Sequence, residues 1–154
     1  MAANATSYVA CVATIDYAAI CETIEERPTI DVWPNIRRLG KNRVDVSGFP
    51  ARVEVPFLIA ARLSKEEADK GPQVLEILIE VFDVVGNEVV QRVDLAEPIE
   101  DVGHVTPGPV GYAVLLTPIV SLALPSERPY LVRVKGWDGQ YDFLLAAFEA
   151  RPAR

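Results

Sequence analysis

The sequence predicts an all-β domain, an antiparallel two-sheet β-sandwich of about eight strands. Three observations predict it. Gln73–Leu95, QVLEILIEVFDVVGNEVVQRVDL, alternates apolar and polar residues on both sides of a Gly-containing turn. Arg52–Leu63 places Val53, Val55, Phe57, Ile59, Ala61 and Leu63 on a single parity, the period of a strand with one buried face. Val, Ile and Thr are abundant, and twelve prolines are scattered so that a long helix finds no room.

Taken in order, Met1–Thr6 is small and polar and reads as a flexible arm. Ser7–Ile15 reads as the first strand, with Val9, Cys11, Ala13 and Ile15 on one side, ending at Asp16-Tyr17. Ala18–Arg27, rich in Glu and closed by Pro28, reads as a loop. Thr29–Arg38 reads as an edge or bulged strand, because Pro34 lacks a ladder donor. Gly40–Pro50, with its Lys, Asn, Asp and Gly, reads as a turn region before the core strand Arg52–Leu63. Ser64-Lys65-Glu66-Glu67 matches a capping box, so one short helical turn is expected over 65–70, stopped by Gly71-Pro72.

The hairpin that follows has a register arguable from its residues. A three-residue loop, Val84-Val85-Gly86, gives Gly the position that needs positive φ. It sets Val81 opposite Val89, Ile77 opposite Val93 and Leu75 opposite Leu95. Glu97–Gly111 reads as a crossover loop and Tyr112–Leu124 as an apolar strand broken by Pro118. Tyr130–Phe148 forms a second hairpin about Asp138-Gly139, a type I′ signal. A loop at those two residues pairs Val134 with Phe143, Val132 with Leu145 and Lys135 with Asp142. The chain is thus read as one domain over 7–150, with an arm at 1–6 and a tail at 151–154.

A formal charge of −7 argues against nucleic acid and anionic membrane surfaces as partners. The nearest basic group, Arg37, Arg38, Lys41 and Arg43, reads as a solvated turn. No apolar run approaches the roughly 18 residues of a membrane helix, and no basic leader precedes the first strand, so membrane insertion is not expected and a cytoplasmic location is. Cys11 and Cys21 read as buried free thiols.

Candidate chemistry is thin. His104 is the single histidine, so one chain cannot build a site from two or three histidines. A Ser-His-Asp arrangement would need His104 to meet Ser121 or Ser126, without a G-x-S-x-G elbow. Asp16, Glu22, Glu25, Glu26, Asp101 and Asp138 match no calcium loop and read as ordinary loop acids. No catalytic residue, metal ligand or cofactor is therefore expected.

The Ile15-Asp16-Tyr17-Ala18 segment, the LEILIEVFDVVGNEV hairpin and the closing PYLVRVKGWDGQ hairpin together resemble a group of small bacterial domains of unknown function with immunoglobulin-type sandwiches. That resemblance implies the sandwich fold and brings no activity, cofactor or site residue.

What remains is surface. Leu58 on the outer parity of the core strand, and Leu131, Leu144 and Phe148 on the outer face of the last hairpin, stand where a monomeric sandwich prefers polar groups. They are the expected interface of a non-catalytic module that acts by protein association or self-assembly. The arm would pair along a neighbour's edge strand. The alternatives are a subunit of a larger shell or virion assembly, and a metal-dependent or hydrolytic enzyme with a site at one sandwich end.

Overall fold

The computed structural model describes residues 9–10, 13–25, 35–64, 66, 73–98, 105–107, 111–136 and 139–150. Their strands are β1 (Val9–Ala10), β2 (Ala13–Ile20), β3 (Thr23–Glu25), β4 (Asn35–Arg37), β5 (Arg43–Val46), β6 (Ala51–Ser64), β7 (Gln73–Asp83), β8 (Glu88–Pro98), β9 (Val105–Pro107), β10 (Gly111–Leu116), β11 (Ile119–Leu124), β12 (Pro129–Lys135) and β13 (Gln140–Glu149). The all-β sandwich expectation holds, with thirteen strands among the described residues in place of about eight, the short β1, β3, β4, β5 and β9 among them. The expected helical turn over 65–70 lies outside the described residues, Glu66 excepted.

The first sheet runs β8-β7-β12-β13-β5, with β1 on β7 as well. Val74 pairs with both Ala10 and Pro98, so β1 shares the β12 edge of β7. Two of its pairings, β1 with β7 and β13 with β5, are parallel. The expectation of purely antiparallel sheets is corrected accordingly, because alternation within a strand carries no information on its neighbour's direction. The second sheet is built on β6. On one edge lies β2; on the other β10 and β11 run as a single antiparallel partner, interrupted at Thr117-Pro118 without loss of register. The Phe57 N–H donates to the Pro118 carbonyl at 2.8 Å and keeps the ladder closed at the break.

The facing sides interleave as a single apolar core. Leu75, Ile77, Ile79, Val81, Tyr130, Val132, Val134 and Leu145 come from the first sheet and Phe57, Ile59, Ala61, Leu63, Val114, Leu122 and Leu124 from the second, all buried. Of the residues that alternation and hairpin pairing place toward a core on β6, β7 and β12, Val55, Phe57, Ile59, Leu75, Ile77, Ile79, Val81, Val132 and Val134 are buried there and Val53 is only partly covered.

The two sides of the sandwich are closed differently. Where the β11 edge approaches β8, the Gln91 amide donates to the Ser121 carbonyl and accepts from the Ala123 N–H, each at 2.8 Å, so one side chain stands in for a strand. Where β2 approaches the end of the β12–β13 hairpin, Tyr17 and Tyr141 lie 5.0 Å apart between ring centres. There a Cβ on Gly136 would come within 2.8 Å of Ile15 Cγ1, so only glycine lets the hairpin cross so closely.

Several local expectations are corrected. Ser7–Ile15 is two strands in different sheets, β1 and the start of β2. β2 continues past Asp16 to Ile20, because a bulge there switches the buried parity from Ala13 and Ile15 to Ala18 and Ile20. The supposed loop at Ala18–Arg27 therefore contains the end of β2 and also β3, and the supposed turn at Gly40–Pro50 contains β5, whose Val44 and Val46 are buried. Of Thr29–Arg38, residues 35–38 are described, with β4 paired to β3.

The first hairpin turns on four residues, Val84–Asn87, with Asp83 opposite Glu88 and Phe82 opposite Val89. A register shift between Val81 and Phe82 then sets Val81 opposite Gln91, Ile79 opposite Val93 and Ile77 opposite Leu95. The reason is Asp83. Its Oδ1 accepts from the Val85 and Gly86 N–H groups at 3.0 and 2.9 Å, and its Oδ2 meets Arg128 Nη1 at 2.8 Å. The positive φ falls on Asn87, at 55°, and Gly86 is needed instead for space, since a Cβ there would lie 2.7 Å from Asp83 Oδ2.

The second hairpin is slipped by two residues from its expected pairing: Val134 faces Tyr141, Val132 faces Phe143 and Lys135 faces Gln140. The Gly136 N–H donates to the Gly139 carbonyl at 3.2 Å; of the expected Asp138-Gly139 loop, Asp138 lies outside the described residues. The faces survive because a slip of two preserves parity. The slip also brings Arg133 opposite Asp142 in a two-pronged pair, Nε to Oδ1 at 2.9 Å and Nη2 to Oδ2 at 3.1 Å.

Candidate interaction face

The outer face of the first sheet carries two rows of side chains that cross four strands. Backbone pairing places Val89 beside Phe82, Phe82 beside Leu131, and Leu131 beside Leu144, an apolar row from β8 to β13. Its ends are open: Val89 is 40% and Leu144 59% exposed, while Phe82 and Leu131 are half-buried. The next row along the strands reads Arg92, Glu80, Arg133, Asp142, alternating in sign. Between the rows, Glu80, Phe82, Val89, Leu131 and Arg133 line a shallow depression.

The charged row is already paired within the chain. Glu80, buried to 9% residual exposure, meets Lys135 Nζ at 2.8 Å and Arg92 Nε at 3.5 Å. The Lys135 hydrogen bond, with the charges of Lys135, Arg92 and Arg133, outweighs burial and holds its carboxyl below the ordinary glutamate range. The Asp142 carboxylate raises Arg133 in the same way. Asp83 is lowered too, first by the Gly86 N–H and then by Arg128.

Both carboxyls titrate lower folded than unfolded, so their contribution is complete above the unfolded values of roughly 4 and fades as pH falls through the folded ones. The urea midpoint should therefore hold steady in this respect from neutral pH to about 5 and drop below about 4. Glu80→Gln should be less stable than wild type at pH 7, with the gap closing in acid. A gap independent of pH would remove Glu80 from the acid limb.

Of the residues expected at an interface, Leu131 and Leu144 are direct neighbours in the apolar row. Phe148 lies on the same face further along β13, under the Arg43 guanidinium at 4.1 Å from the ring centre. Leu58 is corrected. It is 6% exposed on the opposite sheet, packed with Cys21 and Leu115 under Tyr17, Ile36 and Ala60, so that sheet is covered on both faces here. Phe82 and Val89 were not singled out by sequence reasoning. Phe82 had a signal, an aromatic on the same parity as Glu76 and Glu80. Val89 had none without the bulge.

Other candidates disperse. Asp16 pairs with Arg62 at 2.7 Å and Glu22 with Arg38 at 2.9 Å. Glu25 falls in β3, while Glu26, Asp101, Asp138 and His104 lie outside the described residues. Among the described residues no three His, Cys, Asp or Glu side chains gather as a metal site. Arg43 is held by Asp45 at 2.9 Å. Cys21 is a buried free thiol, raised by that burial, and Cys11 is not described. Ser121 Oγ meets Arg52, and Ser126 engages Tyr130 through its backbone. No helix among the described residues is long and apolar enough to cross a membrane. Comparison of the chain with protein-family models, with curated proteins and with solved structures finds no match.

Proposed function

We propose that the protein works by association, as a non-catalytic module whose working surface is the outer face of β8, β7, β12 and β13. The observation that carries this is the Val89-Phe82-Leu131-Leu144 row, four apolar side chains on directly paired strand positions of an open sheet face. Such a row is costly in water and favours a partner surface. The paired charges beside it form a rim that loses little by being approached, because each already has its counter-ion. The Tyr130 hydroxyl, turned back onto the Ser126 backbone at the entry to β12, supports the likeness to immunoglobulin-type sandwiches, which use such a corner.

Leu144→Asp tests the reading with little risk to the fold, since the side chain is 59% exposed. The variant should melt within about 3 °C of wild type, as surface substitutions do. It should lose oligomer mass in light scattering, or lose proteins that the wild-type chain retains on a column. Identical mass at every concentration and identical retained proteins for both chains would dismiss this face.

A further inference from the structure

We infer that the partner of this face is a second copy of the chain, docked face to face about a two-fold axis that runs parallel to the strands between β7 and β12. The inference rests on the association reading above and adds the occupant and its geometry.

The two rows are complementary to themselves about the β7–β12 boundary. At the level of these rows two strands lie on each side of it, β8 and β7 on one and β12 and β13 on the other, since β5 joins β13 only from Ala146 onward. Rotation about an axis along that boundary lays each row on its own reverse, as a closed two-fold interface requires. In the apolar row Phe82 then meets Leu131 of the copy and Val89 meets Leu144. In the charged row Glu80 meets Arg133 and Arg92 meets Asp142, so every cross-chain contact joins opposite signs. In the row after that Leu78 lies against the aliphatic stem of Lys135, and Asp94 faces Gln140. An axis perpendicular to the strands would instead stack the charged row of one chain outside the charged row of the other. The fit is thus specific to one operator. The depression lined by Glu80, Phe82, Val89, Leu131 and Arg133 sits across that axis and leaves room for the half-buried Phe82 and Leu131 to interlock.

Area sets the strength. Four strands about 4.8 Å apart, over the six residues that β12 shares with β7, make a patch of about 20 by 20 Å. That is about half of the roughly 800 Å² per partner typical of stable complexes, so the dimer is weak and forms as concentration rises. The strand axes of the two copies stay aligned, the arrangement from which aligned sheet packing is built.

Charge-swap complementation tests the operator. Arg92→Glu alone places two like-charge contacts with Asp142 in the dimer, and Asp142→Lys alone places two with Arg92. Each should weaken dimerisation about tenfold or more in sedimentation velocity. Mixed one to one, the two variants set their substituted positions against each other, acid to base, and set the unchanged Arg92 of one chain against the unchanged Asp142 of the other. Both contacts are then of opposite sign, and the mixture should dimerise as wild type does. Because Asp142→Lys also removes the partner of Arg133, circular dichroism must show each variant folded. Val89→Asp with Leu144→Lys, at exposed apolar positions whose replacement breaks no intrachain ion pair, repeats the test independently. Wild type that dimerises while neither mixture recovers overturns the two-fold. A wild-type chain that stays monomeric at millimolar concentration overturns the copy as occupant. The association reading then stands only if Leu144→Asp still loses a retained protein, and fails with it otherwise.

Discussion

Phe57→Ala should lower stability by about 3–5 kcal/mol, the range for emptying a buried aromatic site. Phe57 has 0% exposure at the middle of β6, with its ring 6.1 Å from that of Phe143 across the core. The site cannot readily collapse. β6 is hydrogen-bonded on both edges at this level, to β2 through Ile20 and to the Pro118 carbonyl, so the backbone cannot move in to fill the space. A loss of this size is a large share of the roughly 5–15 kcal/mol that holds a domain folded, and should reduce the melting temperature by about 10 °C or more. Thermal unfolding followed by circular dichroism measures it. A shift under about 3 °C would mean that the two sheets are not packed through this side chain.

The second large effect is expected at Tyr130. Its ring is fully buried, and its hydroxyl donates to the Ser126 carbonyl at 2.7 Å and accepts from the Ser126 N–H at 3.0 Å. Tyr130→Ala removes both ring and clasp and should cost about 3–5 kcal/mol or more. Tyr130→Phe keeps the ring and leaves a part-buried N–H and C=O without their partner, an expected loss of about 1–3 kcal/mol. The difference separates packing from hydrogen bonding at one position. Equal destabilisation by Phe and Ala would assign the whole effect to the hydroxyl; no loss in Tyr130→Phe would show that water replaces it.

The candidate face was legible in part. Leu131 and Leu144 were visible because the closing hairpin keeps its parity even when slipped by two residues, so both stay outside whichever pairing forms. Leu58 was misplaced for a reason of the same kind. Parity says that it points away from the core, but not that Cys21, Leu115 and Ile36 cover it there. Val89 could not be found by alternation at all, since the bulge between Val81 and Phe82 moves it onto the outer face.

By itself the sequence determined the strands with one buried face, β6, β7 and β12, and through them the all-β class and most of the core. A period of two is a local property and needs no knowledge of neighbours. Register, direction and covering were decided by the tertiary structure, because each depends on a group distant along the chain. Arg128 and the turn amides hold Asp83 and so set the first hairpin. The close crossing of Ile15 requires glycine at 136 and accompanies the slip of the second. The parallel pairings of β1 and β5 follow from where the chain returns rather than from any residue in those short strands. The apolar and charged rows exist only once these registers are set, since they join residues of β8, β7, β12 and β13 that no single stretch of sequence brings together.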